Sequence, residues 1–210
     1  MKINLYYLLI SLAALLVLSC TSTAVQNTVP EEIFIVLPVE IQKPDVPENI
    51  MSQVKASAGD STGFLLQNNP QADRIFVFAL SNYYIEEAGF EGVNHDVAFA
   101  QMCLETGFLK YGGDVKPEQF NFCGLGATGG VPGLSFPDPR TGVRAQIQHL
   151  KAYASEEPLK GENVDPRFRY VRRGSSPTIE GLAGTWAADR QYAVKINSML
   201  ARLYDFSFNA

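Results

Sequence analysis

Apolar and polar positions follow one another along this chain in three different ways. Residues 3–18 are apolar throughout, broken only by Asn4 and Ser11, and are preceded by Met1 and Lys2. From Thr21 to about Asp60 no period survives: Pro30, Pro38, Pro44 and Pro47 stand among Ser, Thr, Gln and Asn, with one apolar patch at residues 33–37. From about Gly63 the apolar residues recur at helical spacing. A helix is predicted over residues 72–88, where Ile75, Phe76, Phe78, Ala79, Tyr83 and Ile85 make a broad apolar face and Gly89 marks a stop. A second is predicted over 95–106, capped by Asn94 or Asp96 and ended by Gly107. A third covers 142–155, with Val143, Ile147, Leu150 and Tyr153 in register. A short one covers 178–182 after Pro177, and the last covers 188–204. Residues 111–141, rich in Gly and Pro, separate the second helix from the third. That is too long for a simple connector, and such loops usually carry function. The predicted class is mostly α.

The first regime changes the picture of address. One basic residue, an apolar stretch of this length and then small residues read as an export signal over residues 1–19. Val17-Leu18-Ser19-Cys20 resembles a bacterial lipobox, with Val17 where Leu is commoner. The resemblance implies a diacylated Cys20, whose two chains suffice for stable anchoring. An uncleaved single-span anchor is the alternative. Both place the remainder outside the cytoplasm, in the cell envelope, on the outer face of the inner membrane or in the outer membrane. Residues 20–62 read as an extended tether and 63–210 as the domain.

Composition mainly excludes. The 210 residues carry a formal charge of −5 and are 46% hydrophobic, so neither a disordered chain nor a multi-span membrane protein is expected. An acidic chain without a dense Lys/Arg block is a poor nucleic-acid binder. Three cysteines without a CxxC pair, and His95 far from His149, give no metal-ligand spacing, so no metal or cofactor is expected. Cys103 and Cys123 are expected as two buried thiols, although an oxidising compartment would permit a disulfide. Gly124-Leu125-Gly126-Ala127-Thr128-Gly129 fits G-x-G-x-x-G in letters only, because Pro132 and Gly133 follow where a helix should open.

One residue stands out. Residues 97–105 read Val-Ala-Phe-Ala-Gln-Met-Cys-Leu-Glu, apolar nearly all round, which predicts a helix at the centre of the protein. Glu is almost never fully buried unless paired, so Glu105 is anomalous. Burial and the negative end of the helix both disfavour its carboxylate, as a general acid requires. A solvated stripe or an arginine partner is the plainer alternative.

Three blocks then point to a family. Glu105-Thr106-Gly107, Asn121-Phe122-Cys123-Gly124-Leu125 and Trp186-Ala187-Ala188-Asp189 with Tyr192 resemble, in order, the motifs of family 73 glycoside hydrolases. These are peptidoglycan-cleaving glucosaminidases with a lysozyme-like helical fold, and the resemblance covers about residues 74–206. It implies a cleft lined by the downstream segment at residues 121–125 and hydrolysis of the β-1,4 bond between N-acetylglucosamine and N-acetylmuramic acid in peptidoglycan strands. Glu105 would be the general acid. Gln119 and Asn121 would meet acetamido groups, and Phe122, Tyr170 or Trp186 would meet sugar faces. The plainer readings are loop shaping for Asn121 and core packing for Phe122 and Trp186. Relatives often carry a β-lobe with a second carboxylate, whereas residues 126–141 lack strand alternation, so little or no β-lobe is expected. Asp138, between Pro137 and Pro139, is the acid that segment offers as a base; substrate assistance is the alternative. Arg167, Arg169, Arg172 and Arg173 form a basic cluster, either solvated or set to meet peptidoglycan carboxylates. The rival functions are a lytic transglycosylase and a non-catalytic glycan-binding lipoprotein.

Overall fold

The structure is a computed structural model that describes residues 45–209. The export signal, Cys20, the apolar patch at 33–37 and most of the tether lie outside the described residues. Among the described residues five α-helices make the domain: α1 (Ala58–Asn68), α2 (Arg74–Glu91), α3 (His95–Thr106), α4 (Pro139–Ala154) and α5 (Tyr192–Asn209). The described sheet is a hairpin of two-residue strands, β1 (Ala127–Thr128) and β2 (Val131–Pro132), paired antiparallel. The fold is mostly α and lysozyme-like, with that hairpin as its small β element.

Local chemistry sets the helix ends. Ser57 and Asp60 form a reciprocal capping box at α1, and Asp73 accepts from the Ile75 and Phe76 N–H groups at α2. Asn94 caps α3 through the Asp96 and Val97 N–H groups, and Gly107 ends it at φ 57°. The expected stop at Gly89 is corrected: α2 runs through it to Glu91 and ends at Gly92, φ 85°. A glycine tolerates helical backbone, so the stop falls where the left-handed conformation is adopted. Residues 178–182 yield only a 3₁₀ turn, Glu180–Leu182, and α5 starts at Tyr192 because residues 189–191 are taken up by a turn closed on Asp189.

Helix α3 lies at the centre, packed on α5 and α2, with α1 and α4 also packing on α2. Val97, Ala98, Phe99, Ala100, Met102 and Cys103 are fully buried, and each large side chain so buried contributes about 1.5–3 kcal/mol. Packing also begins earlier than the expected Gly63 boundary. Ile50 is fully buried, its N–H donates to the Pro177 carbonyl and its carbonyl accepts from the Asn94 N–H. Residues 48–56 thus strap the start of α3 to the segment before the 3₁₀ turn at Glu180–Leu182.

Candidate active site

Glu105 sits in the last turn of α3, and the reversal of the chain just beyond it accounts for Thr106 and Gly107. The Thr106 hydroxyl donates to the Met102 carbonyl at 2.8 Å and accepts from the Leu109 N–H at 2.9 Å. Gly107, Phe108 and Leu109 are consecutively left-handed, with φ of 57°, 60° and 60°. Phe108 is held there by edge contact with Phe64, ring centroids 5.6 Å apart, and by the Arg202 guanidinium at 5.4 Å. This reverse-handed turn brings Tyr111 and Asp114 back across the end of α3. With Glu105, Cys123, Gly124 and Trp186 they line an open cavity of about 290 Å³.

The Glu105 carboxyl accepts from the Tyr192 hydroxyl, Oη to Oε1 2.5 Å. Desolvation by the surrounding protein raises its pKa although the side chain is exposed at the cavity, and the hydrogen bonds of Tyr192 and Trp186 offset only part of that rise. No salt bridge to Glu105 is found among the described residues, so the arginine-paired alternative does not apply. The expected burial is corrected: Glu105 is exposed on the solvated side of α3, facing the cavity rather than the core. The group is a carboxyl whose pKa is raised, on the wall of a cavity.

Trp186 is the predicted substrate-binding residue that the fold brings to Glu105. Its ring is held edge-on by His149 at 5.0 Å and lies 5.8 Å from Tyr153. His149 is in turn fixed by Asp165, Nδ1 to Oδ2 2.6 Å. Other predicted contacts find different work. Asn121 is buried and fully used: its amide donates to the Leu125 and Leu134 carbonyls while Oδ1 accepts from the Leu125 N–H. Gln119 donates to the Pro132 and Leu134 carbonyls and accepts from the Lys116 N–H. Both amides clamp the loop and have no free donor for an acetamido group. Phe122 is 1% exposed and belongs to the core. Tyr170 is 65% exposed and lies outside the cavity lining, flanked by Arg167 and Arg169 with guanidinium centres 5.8 and 4.8 Å from its ring.

Asp138 also needs correction as a base. Its carboxylate caps α4, accepting from the Thr141 N–H and hydroxyl at 2.9 and 2.7 Å, and these bonds hold it below its ordinary range. The acid on the cavity wall besides Glu105 is Asp114, whose Oδ2 accepts from the Gly130 N–H of the hairpin at 3.0 Å. Nothing local marks it; only the turn at Gly107 carries it there. Cys103 and Cys123 are buried and unbridged, and burial pushes both thiols up. Among the described residues no group of three or more His, Cys, Asp and Glu is arranged to hold a metal.

The comparisons agree with this geometry. A family model for glucosaminidase, described as mannosyl-glycoprotein endo-beta-N-acetylglucosaminidase, matches residues 81–205. The chain belongs to that family. That makes it a glycoside hydrolase in kind, of the group that includes peptidoglycan-cleaving glycosidases. A relative from Borreliella burgdorferi (strain B31), described as an uncharacterized protein, is 43% identical over 197 residues, 93% of this chain and 95% of its own length. No solved structure matches the chain.

Proposed function

We propose that this protein hydrolyses the β-1,4 bond between N-acetylglucosamine and N-acetylmuramic acid in peptidoglycan, with Glu105 as general acid. The observation that carries the reading is a carboxyl with a raised pKa that ends the central helix, is itself exposed, and lines a cavity together with an indole. Glu105 gives its proton to the glycosidic oxygen as the C1–O bond breaks. The bond's electron pair leaves with that oxygen, and the oxocarbenium-like sugar is captured by water. Asp114 is our candidate for the second carboxylate, which would accept the proton of the attacking water. Tyr170 with Arg167 and Arg169 is our candidate contact for carboxylates of the peptide stems, which suit a guanidinium fork. Cleavage before Cys20 and its acylation would hold the domain at a membrane of the cell envelope.

Digestion of purified peptidoglycan followed by mass spectrometry tests the reaction. Reducing N-acetylglucosamine ends are expected; 1,6-anhydro-muramic ends would instead make the protein a transglycosylase. Glu105→Gln is expected to remove cleavage, and a fully active variant would refute the mechanism. Asp114→Asn is expected to lower kcat, and an unchanged kcat would favour attack by the substrate's own acetamido group. Lipid labelling lost in Cys20→Ser tests the anchor.

A further inference from the structure

Behind Glu105 a line of buried polar groups crosses the core, one from each of four helices. Tyr84 on α2 donates to Gln146 Oε1 on α4 at 2.6 Å. Gln146 Nε2 donates to Gln101 Oε1 on α3 at 2.8 Å. Gln101 Nε2 reaches the Tyr192 hydroxyl on α5 at 2.9 Å, and that hydroxyl meets Glu105 Oε1. Tyr84, Gln101 and Gln146 are fully buried. Polar side chains so buried are not needed for packing, and each costs free energy unless it is paired, as these are.

The direction of the chain is set at a single backbone atom. Gln146 Nε2 also donates to the Ala98 carbonyl at 3.0 Å, and a carbonyl only accepts. That contact fixes which end of the Gln146 amide is NH₂. Gln146 must then present NH₂ to Gln101, which must present its oxygen in return and turn its own NH₂ to Tyr192. The Tyr192 oxygen therefore accepts from Gln101, and its single proton is left to point at Glu105. Burial pushes the Tyr84 and Tyr192 phenols upward, so both keep the protons this arrangement needs.

We infer that Gln101 and Gln146 are positioning residues: they hold the Tyr192 hydroxyl as a donor to Glu105 Oε1 and so leave Oε2 as the oxygen that carries the transferable proton. The inference rests on Glu105 being the general acid. Oε1, occupied by an incoming donor, is the carbonyl-like oxygen of the protonated carboxyl. Oε2 lies 4.0 Å from the point where a Cβ on Gly124 would sit, and Gly124 and Glu105 line the cavity together. Without the chain, the Tyr192 hydroxyl is free to turn and accept from the acid, drawing the proton inward where no sugar reaches it. The other titratable groups facing this carboxyl are Cys123 from the loop and Tyr111 and Asp114 on the cavity wall, and no residue lining that cavity is basic.

Gln101→Leu and Gln146→Met test the inference in the full chain, with Leu80→Ala as a core variant outside the line. The two glutamine variants are expected to lose roughly tenfold in kcat with KM unchanged. They are also expected to raise the midpoint of the Glu105 carboxyl carbon titration followed by NMR, while Leu80→Ala moves neither. Unchanged kcat and midpoint in both glutamine variants would overturn the inference. The NMR titration needs no substrate, so it reports even where wild type proves inactive on peptidoglycan and the functional reading falls. Where the glutamine variants do not fold, infrared spectroscopy decides. The C=O band of protonated Glu105, identified by its absence in Glu105→Gln, is expected to rise in frequency in Tyr192→Phe. A band that does not move would show that Tyr192 accepts rather than donates, and would sink the inference.

Discussion

The two ends of α3 are built from the same parts and arrive at opposite results. At each end a carboxyl on α3 meets a tyrosine hydroxyl from α5: Asp96 with Tyr204 at 2.8 Å, and Glu105 with Tyr192 at 2.5 Å. The two carboxyls are separated by nine residues of helix, about 14 Å. At the start of α3 the strap adds the Lys55 N–H at 2.8 Å and the Ala56 N–H to Asp96, and the helix presents its positive end. At the other end Glu105 receives no backbone donor among the described contacts, and the helix presents its negative end. A buried acid with three or more donors is an anchor. An exposed acid with fewer donors, at the unfavourable end of a helix and beside a cavity, stays open to whatever enters that cavity.

Exchanging charge for amide at the two ends is the sharpest way to break the comparison. Glu105→Gln is expected to abolish hydrolysis, a loss of about 10³-fold or more, and yet to raise thermal stability at neutral pH. In the unfolded chain this carboxyl ionises near its ordinary 4.5, whereas the folded protein holds the proton to higher pH. Between those values the folded state binds the extra proton, so stability falls as pH rises through the window and stays lower above it. Thermal melts of both proteins across pH 4–8 check the sign, and no gain for the variant above that window would contradict it.

Asp96→Ala is expected to do the reverse. It strands two backbone donors and the Tyr204 hydroxyl in the interior, at about 3 kcal/mol, while the folded fraction keeps its kcat; urea titration with activity assays separates the two. Gly142→Ala attacks the loop instead. A Cβ there would stand 1.8 Å from the Phe120 carbonyl oxygen, so α4 would be levered off the Asn121 clamp. A loss of about 2 kcal/mol, with KM rising more than kcat falls, is the expected outcome. The smallest effect belongs to His95 beside Asp96. Burial lowers its pKa, but hydrogen bonds to Asp96 and the Ala56 carbonyl outweigh this and raise it above 6.5. Its contribution is therefore fully present below pH 6.5 and lost as pH rises through the folded value. A shallow fall in melting temperature over that range, absent in His95→Gln, would show it.

What is legible in the sequence divides along similar lines. Both ends of α3 are written locally, in the Asn94 cap and the Gly107 stop, and so is the anomaly of Glu105 in an apolar helix. Gly89 misleads because a glycine inside a helix has the same letter as one that ends it. Asn121 sits in a family-like block and Gln119 just before it, but their partners are carbonyls of residues 125, 132 and 134, fixed only when the loop closes. The pairing of Glu105 with Tyr192 spans 87 residues and leaves no periodic trace. Gln101 is the missed signal: a second polar residue in the same apolar helix, four positions before Glu105 and so on the same face.

The three left-handed residues behind the acid bear on the order in which the molecule assembles. For Phe108 and Leu109 that backbone costs about 1–2 kcal/mol each, and the ring contacts of Phe108 are with residues far off in the chain, Phe64 and Arg202. Such a turn has little reason to form before α1 and α5 have docked, although the helices it follows can. In a stopped-flow experiment, far-ultraviolet ellipticity should therefore return ahead of the final closure of the turn behind Glu105, leaving a brief interval in which the helices stand but the cavity is not yet shaped.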